Sequence, residues 1–311
     1  MKRLTDKFGI EFGPEDPDTD YFLGADRIRH GPHSATLHAH TYITLMAKRY
    51  LPDGHESYPK KFAYVPADDT LVKAHATAVA HKVAPAAELT ARYRELVGSL
   101  MYAVKFRPEI GCAMGLCGQC LTFATEDMYK AALTVLVYLA RTSKVGTTFT
   151  GKGDGVTQVK AFADSNWDVR RSTSGFTIML GGASIFAASR RQHCISMSSC
   201  EAELIALAEC AIELLFVLGV LEALGYKATE PVRVYTDNKA AHDLCNRYTT
   251  GQNSRHIDRK MFKMRELRGA GVVSVSHVPT DENPADLMTK ILSRQPFEKH
   301  RATVLNTAGA L

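Results

Sequence analysis

Four carboxylates are placed so that they could act together: Asp164, Glu203, Asp237 and Asp286. Asp164 closes the short apolar run Val159-Lys160-Ala161-Phe162-Ala163, a pattern that forms a buried strand. A carboxylate buried there without a partner is costly, and a cation is one partner that would answer the cost. Glu203 follows the start of a long apolar helical pattern, Asp237 joins a strand to a helix, and Asp286 comes just after Pro284. Each sits at an element end from which it could reach the point set by Asp164. Carboxylates without His or Cys partners are hard oxygen ligands suited to Mg²⁺ or Mn²⁺. Two such ions about 4 Å apart can clamp a scissile phosphate. The expected chemistry is therefore metal-dependent cutting of nucleic acid.

Each acid also has an ordinary alternative. Asp237 has the place of a helix N-cap. Asp286 and Glu203 could simply complement helix dipoles. Helix geometry separates Glu203 from its neighbour Glu201. At 100° per residue, Leu207, Ala211, Leu214, Leu218 and Leu221 make one stripe. Glu203 falls about 40° from Leu207, toward the sheet, whereas Glu201 falls about 120° away, toward solvent.

The elements that must position these acids fill the second half. The sequence predicts strands at 159–164, 173–180 and 183–189, with Gly181-Gly182 as a hairpin turn. A long helix over 199–224 follows, ending at Gly225. Further strands are expected at 231–237 and 271–277, with helices at 238–246 and 255–269 and a short one after Pro284. That order predicts an antiparallel meander running into α/β crossovers in one mixed sheet. The first half reads differently. Residues 21–28 and 35–40 suggest a hairpin, and helices are expected at 41–51, 93–104, 110–123 and from 126 onward. The Ala- and His-containing stretch 73–88 reads as a loose connector. Gly151-Lys152-Gly153-Asp154-Gly155 reads as a break between domains of 1–150 and 157–292, followed by a tail at 293–311.

The 311 residues carry 38 Lys and Arg against 33 Asp and Glu, a formal charge of +5, which mildly favours an anionic partner. No apolar run is expected to reach the roughly 18 residues of a membrane span. The charged N-terminus does not read as a signal peptide. An intracellular location, cytoplasmic or nuclear, and no membrane partner are expected. Cys112, Cys117 and Cys120 have the C-x4-C-x2-C spacing of a plant-type iron–sulfur loop, but the next cysteine is Cys194. Buried helix thiols are the favoured reading.

A family resemblance adds to this. The pieces are Ala163-Asp164-Ser165-Asn166-Trp167, Arg171-Ser172-Thr173-Ser174-Gly175-Phe176 and Ser198-Ser199-Cys200-Glu201-Ala202-Glu203-Leu204. After them come Thr236-Asp237-Asn238-Lys239, Arg255-His256-Ile257-Asp258, His277-Val278-Pro279-Thr280 and Asn283-Pro284-Ala285-Asp286-Leu287-Met288-Thr289-Lys290. Together they resemble the ribonuclease H domain of copia-type retrotransposon polyproteins over about 160–292. Tyr21-Phe22-Leu23-Gly24, Tyr93-Arg94-Glu95-Leu96-Val97-Gly98 and Arg107-Pro108-Glu109-Ile110 resemble the end of the reverse transcriptase that precedes it. The implied fold class is α/β (α+β): a ribonuclease H-like mixed five-stranded sheet with flanking helices, preceded by a smaller, mostly helical thumb- or connection-like region. The family's catalytic and metal-binding acids map onto Asp164, Glu203, Asp237 and Asp286, and its histidine onto His277. The polymerase's Tyr-x-Asp-Asp is absent, so a fragment starting after the palm, without polymerase activity, is expected.

The resemblance implies cleavage of the RNA strand of an RNA–DNA hybrid with two Mg²⁺ or Mn²⁺ ions, with the rest of the reverse transcriptase as a possible partner. Arg255, Arg259 and Lys263 at i, i+4 and i+8 form a basic row that could track phosphates, or simply a solvated face. Arg190, Arg191 and Asn238 are further candidate contacts. Asn166, Cys200 and Leu204 depart from the family's usual residues but remove no metal ligand. The rival class is a degenerate transposon remnant that binds nucleic acid without cutting it.

Overall fold

The computed structural model of the protein describes residues 21–82, 85–151, 159–168, 170–226, 228, 230–246 and 258–307, without the side chains of residues 22 and 258–261. The first half opens with β1 (Tyr21–Phe22), β2 (Ala25–Gly31) and β3 (Ser34–His38). Helices α1 (His40–Tyr50), α2 (Asp69–His81), α3 (Ala87–Ala103), α4 (Gly111–Gln119) and α5 (Glu126–Arg141) follow. Strand β4 (Thr147–Thr150) then returns to pair with β3 and completes a four-stranded sheet.

Two local signals explain these helices. Thr125 accepts a hydrogen bond from the Met128 amide at the start of α5, with Glu126 and Asp127 in the first turn. Asp68 caps α2 in the same way, through the Thr70 amide. The loose connector expected at 73–88 is thereby corrected, because residues up to His81 are helical. Leu71, Ala74 and Ala78 sit at helical spacing and are buried, and alanine is the best helix former. Strand β4 carries no sequence signal strong enough to predict it.

The second half contains β5 (Val159–Asn166), β6 (Thr173–Leu180), β7 (Ala183–Arg191), α6 (Ser199–Ala223), β8 (Val232–Thr236), α7 (Lys239–Asn246), α8 (Asp258–Gly269) and β9 (Val273–His277). Its strands lie in the order β7-β6-β5-β8-β9. The β5–β6 and β6–β7 pairs are antiparallel, and β5–β8 and β8–β9 are parallel. This is the mixed five-stranded sheet that the pattern predicts. Two short elements close the chain: α9 (Asp286–Thr289) and α10 (Arg294–Leu305).

Helix α6 covers one face of this sheet with Leu207, Ala211 and Leu214, all in the second core. Its far side is also apolar: Ile212, Phe216, Val220 and Leu224 are exposed at spacings of four. Residues 204–221 hold only Glu209 and Glu213 as charges, so α6 is long and apolar enough to cross a membrane by composition. That corrects the expectation that no run reaches this length. More than half of its apolar window is nevertheless buried inside the protein, as for a core helix.

The opposite face of the sheet is covered by elements from both halves. Helix α4 packs on β7 and on α9. It comes close because Gly115 has no side chain: a Cβ there would lie 2.7 Å from Ser189 Oγ. The segment read as a tail is corrected as well. Phe297, Val304 and Leu305 of α10 belong to the core of the first half, alongside Leu287 and Met288. The buried thiols Cys117 and Cys120 lie in that core too. Burial pushes the Cys112 and Cys117 thiols up to about 12, so they stay protonated and poor ligands.

Candidate active site

The site begins with strand register. Phe162 pairs with Tyr235 in the parallel β5–β8 ladder, so two residues further on Asp164 and Asp237 stand side by side. Glu203 reaches them from the first turns of α6. Ser198 starts that helix by accepting from the Glu201 amide, and Glu201 in turn accepts from the Met197 amide. Glu201 is thus spent on the helix start and Glu203 points inward. Its Oε1 accepts from the Ser165 amide and hydroxyl, both at 2.9 Å, and its Oε2 accepts from the Thr236 hydroxyl at 3.3 Å.

These contacts bring three of the four acids together. One oxygen from each of Asp164, Glu203 and Asp237 lies within 4.8 Å of the other two, and this is the sole such group of metal-ligating side chains among the described residues. Asp237 is free for this because Asn238 takes the cap: its Oδ1 accepts from the Ala241 amide at 3.0 Å. The expected nucleic-acid contact Asn238 therefore has a helix-starting role.

Asp286 meets the group through a lysine. Lys290 Nζ lies 2.7 Å from Asp286 Oδ1 and 3.5 Å from Asp164 Oδ2, and the Thr289 hydroxyl donates to that same Oδ2. Gly175 makes room for this. It pairs with Asp164 across β5 and β6, and a Cβ there would lie 2.4 Å from Thr289 Cγ2 and 2.7 Å from Met288 Cβ. Asn283 anchors the approach to α9 by donating to the Ala163 carbonyl at 3.0 Å. Thr289, Lys290 and Ser165 carry no signal of a role in the local sequence pattern, with one exception: Lys290 follows Asp286 by four residues, the spacing of a helical ion pair.

Crowded carboxylates out of water resist ionisation. Burial, reinforced by Asp286 and opposed by Lys290, pushes Asp164 up to about 6. Burial and the nearby Asp164 push Glu203 up to about 8, although the Ser165 hydrogen bonds pull the other way. The donor set fits a hard divalent cation, which would relieve this repulsion. Without metal, the folded protein retains a proton on Glu203 that the unfolded chain has released from about pH 4.5 upward. Stability from this group must then fall as pH rises from about 4.5 to about 8 and stay level above. In EDTA, Glu203→Gln is expected to flatten that fall and to be more stable than wild type at pH 8, by on the order of a few kcal/mol. Melting curves across pH for both proteins test this; parallel curves would contradict it.

The remaining candidates are dispersed. His277 ends β9 with Nε2 3.1 Å from the Asp237 carbonyl oxygen and its ring edge-on to His242 at 6.3 Å. Arg190 pairs with Glu213 at 2.6 Å and lies over the Phe176 ring, while Arg191 Nη1 reaches Gln119 at 3.5 Å. Lys263 pairs with Glu266 at 3.3 Å. Arg255 and the side chain of Arg259 lie outside the described residues.

Three antiparallel strands leading into two parallel ones, a long helix across one face and acids gathered at the shared strand ends define a ribonuclease H-like fold. No family model matches the chain. It is 34% identical over 209 residues to the retrovirus-related Pol polyprotein from transposon TNT 1-94 of Nicotiana tabacum, covering 66% of this chain and 16% of that protein. It is 32% identical over 216 residues to the one from transposon RE1 of Arabidopsis thaliana, covering 68% and 15%. The chain belongs to the retrovirus-related Pol polyproteins of copia-type transposons and spans 15% to 16% of the length of these two relatives. A solved ribonuclease, LC11-RNase H1 isolated from compost, is similar at 17% identity, with a TM-score of 0.35 over 42% of this chain and 92% of that one.

Proposed function

We propose that the chain is a metal-dependent ribonuclease H that cuts the RNA strand of RNA–DNA hybrids, acting as part of a copia-type Pol polyprotein. The observation that carries this is the meeting of Asp164, Glu203 and Asp237 oxygens at the ends of β5 and β8. These residues would hold one or two Mg²⁺ or Mn²⁺ ions, with Asp286 as the fourth acid. When bound, divalent ions supply Lewis acidity that activates water and stabilises the leaving oxygen.

The chain's own groups do the rest. Ser165 and Thr236 fix the Glu203 carboxylate so that it faces Asp164. Water adds to phosphorus and gives up a proton, the bond to the 3′ oxygen breaks, and that oxygen takes a proton, leaving 5′-phosphate and 3′-hydroxyl ends. In this reading His277, whose ring hydrogen-bonds the Asp237 carbonyl oxygen, would be the group that carries that proton. Residues 157–292 form the nuclease domain in this reading, and residues up to 150 are the end of a reverse transcriptase. Lys263, Arg255 and Arg259 on or before α8 are the proposed phosphate contacts. Arg190, which pairs with Glu213 as Lys263 pairs with Glu266, is a further proposed contact.

The test uses a hybrid labelled on its RNA strand, incubated with the purified chain in Mg²⁺, Mn²⁺ or EDTA. Cleavage that requires metal and spares the DNA strand supports the proposal. No cleavage by folded protein would instead support a remnant that keeps the acids without the activity.

A further inference from the structure

We propose that Lys290 is a tethered cation that holds Asp164 and Asp286 in the metal-free protein and has to leave them when a divalent ion enters. The inference rests on the metal-binding reading above and concerns how that site is regulated. Asp286 opens α9 and Lys290 follows its last residue, in extended backbone (φ −130°, ψ 143°). The ammonium thereby returns across the turn to touch both carboxylates, at 2.7 and 3.5 Å. Asp164 is 3% and Asp286 11% exposed at the side chain, so water does little to stabilise their charge. The lysine is the cation that does so.

Its position makes it a competitor. A divalent ion held by Asp164 needs the carboxylate that Lys290 and Thr289 now share. Two cations on one carboxylate repel each other strongly in a buried setting. Lys290 lines a small cavity with Glu109, Leu287, Ile291 and Phe297. Glu109 Oε2 is buried and makes no hydrogen bond. Glu109 also lines that cavity, and in this proposal it is the carboxylate that receives the displaced lysine. Exchange between the two would make metal uptake and the docking of α9 on the first half a single coupled event.

The experiment titrates the full chain with Mn²⁺, following free Mn²⁺ by electron paramagnetic resonance, and measures melting in EDTA. Lys290→Gln is expected to bind Mn²⁺ about fivefold tighter or more, as removing a competitor requires. It should also melt below wild type without metal, because two buried acids lose their counter-charge. Lys290→Arg, which keeps the charge, should bind Mn²⁺ like wild type and guards against a folding artefact. Equal or weaker Mn²⁺ binding by Lys290→Gln, or equal tightening by Lys290→Arg, overturns the proposal. If neither wild type nor Lys290→Gln takes up Mn²⁺, the metal-binding reading itself fails and this inference with it; uptake by wild type without tightening in Lys290→Gln removes this inference alone.

Discussion

Replacing Asp237 with asparagine is expected to lower hybrid cleavage by about a thousandfold, the rate equivalent of the several kcal/mol that a lost metal ligand removes from transition-state stabilisation. The fold should survive. In many strand-to-helix junctions the Asp is the cap, and its loss would fray the helix. Here Asn238 caps α7, so the Asp237 carboxylate is not needed at the helix start. Removing one of three crowded acids also relieves repulsion on Asp164 and Glu203. The variant should therefore melt at or above the wild-type temperature in EDTA while losing activity in Mg²⁺. Initial rates on the labelled hybrid, with circular dichroism for the fold, check both halves. A variant retaining a tenth of the wild-type rate would remove Asp237 from the site.

The largest effect on stability is expected at Arg107. Its guanidinium is completely buried and donates to Glu109 Oε1 at 2.7 Å, to the Thr142 carbonyl and hydroxyl, each at 2.9 Å, and to the Tyr138 hydroxyl. Glu109 is 2% exposed. In the metal-free protein, where Lys290 is held by Asp164 and Asp286, Arg107→Met would leave that carboxylate without a cation, and breaking a buried pair this way costs about 3–5 kcal/mol. For a domain of ordinary stability, about 5–15 kcal/mol, this is a fifth or more of the total. Adding Glu109→Leu should recover part of the loss, since the stranded charge goes with it. Denaturant unfolding of the three proteins measures this. Tyr138 also stacks edge-on against Phe297 of α10 at 5.7 Å, so the single variant should loosen α10 first. A loss below about 1 kcal/mol would mean that the pair matters little.

Much of this site was legible in the residues alone. The apolar run into Asp164 and the α6 stripe beside Glu203 place two acids by elementary periodicity, and strand order brings Asp237 next to them. What was not legible depends on contacts between distant segments. Lys290 was a surface-type residue in a matching motif; its role exists only because α9 folds back over β5. Alanines and histidines in 73–81 looked loose because their helix is held by packing against α5, which no local window contains. The role of α10 was hidden for the same reason, since its apolar residues meet partners from the first half. Asn238 taking the cap from Asp237 is a choice between adjacent side chains that either could have filled.

Gly175 bears on how copies of such an element are sorted into live and dead. The natural screen across diverging copies is to count the acids Asp164, Glu203, Asp237 and Asp286. This glycine is not one of them, yet any side chain there meets Thr289 and the backbone of Met288 across the sheet. A copy with every acid intact and Gly175 changed would carry its acids on a mis-seated segment. Inspection for the acids alone would pass such a copy as intact, so the glycine belongs in the same screen.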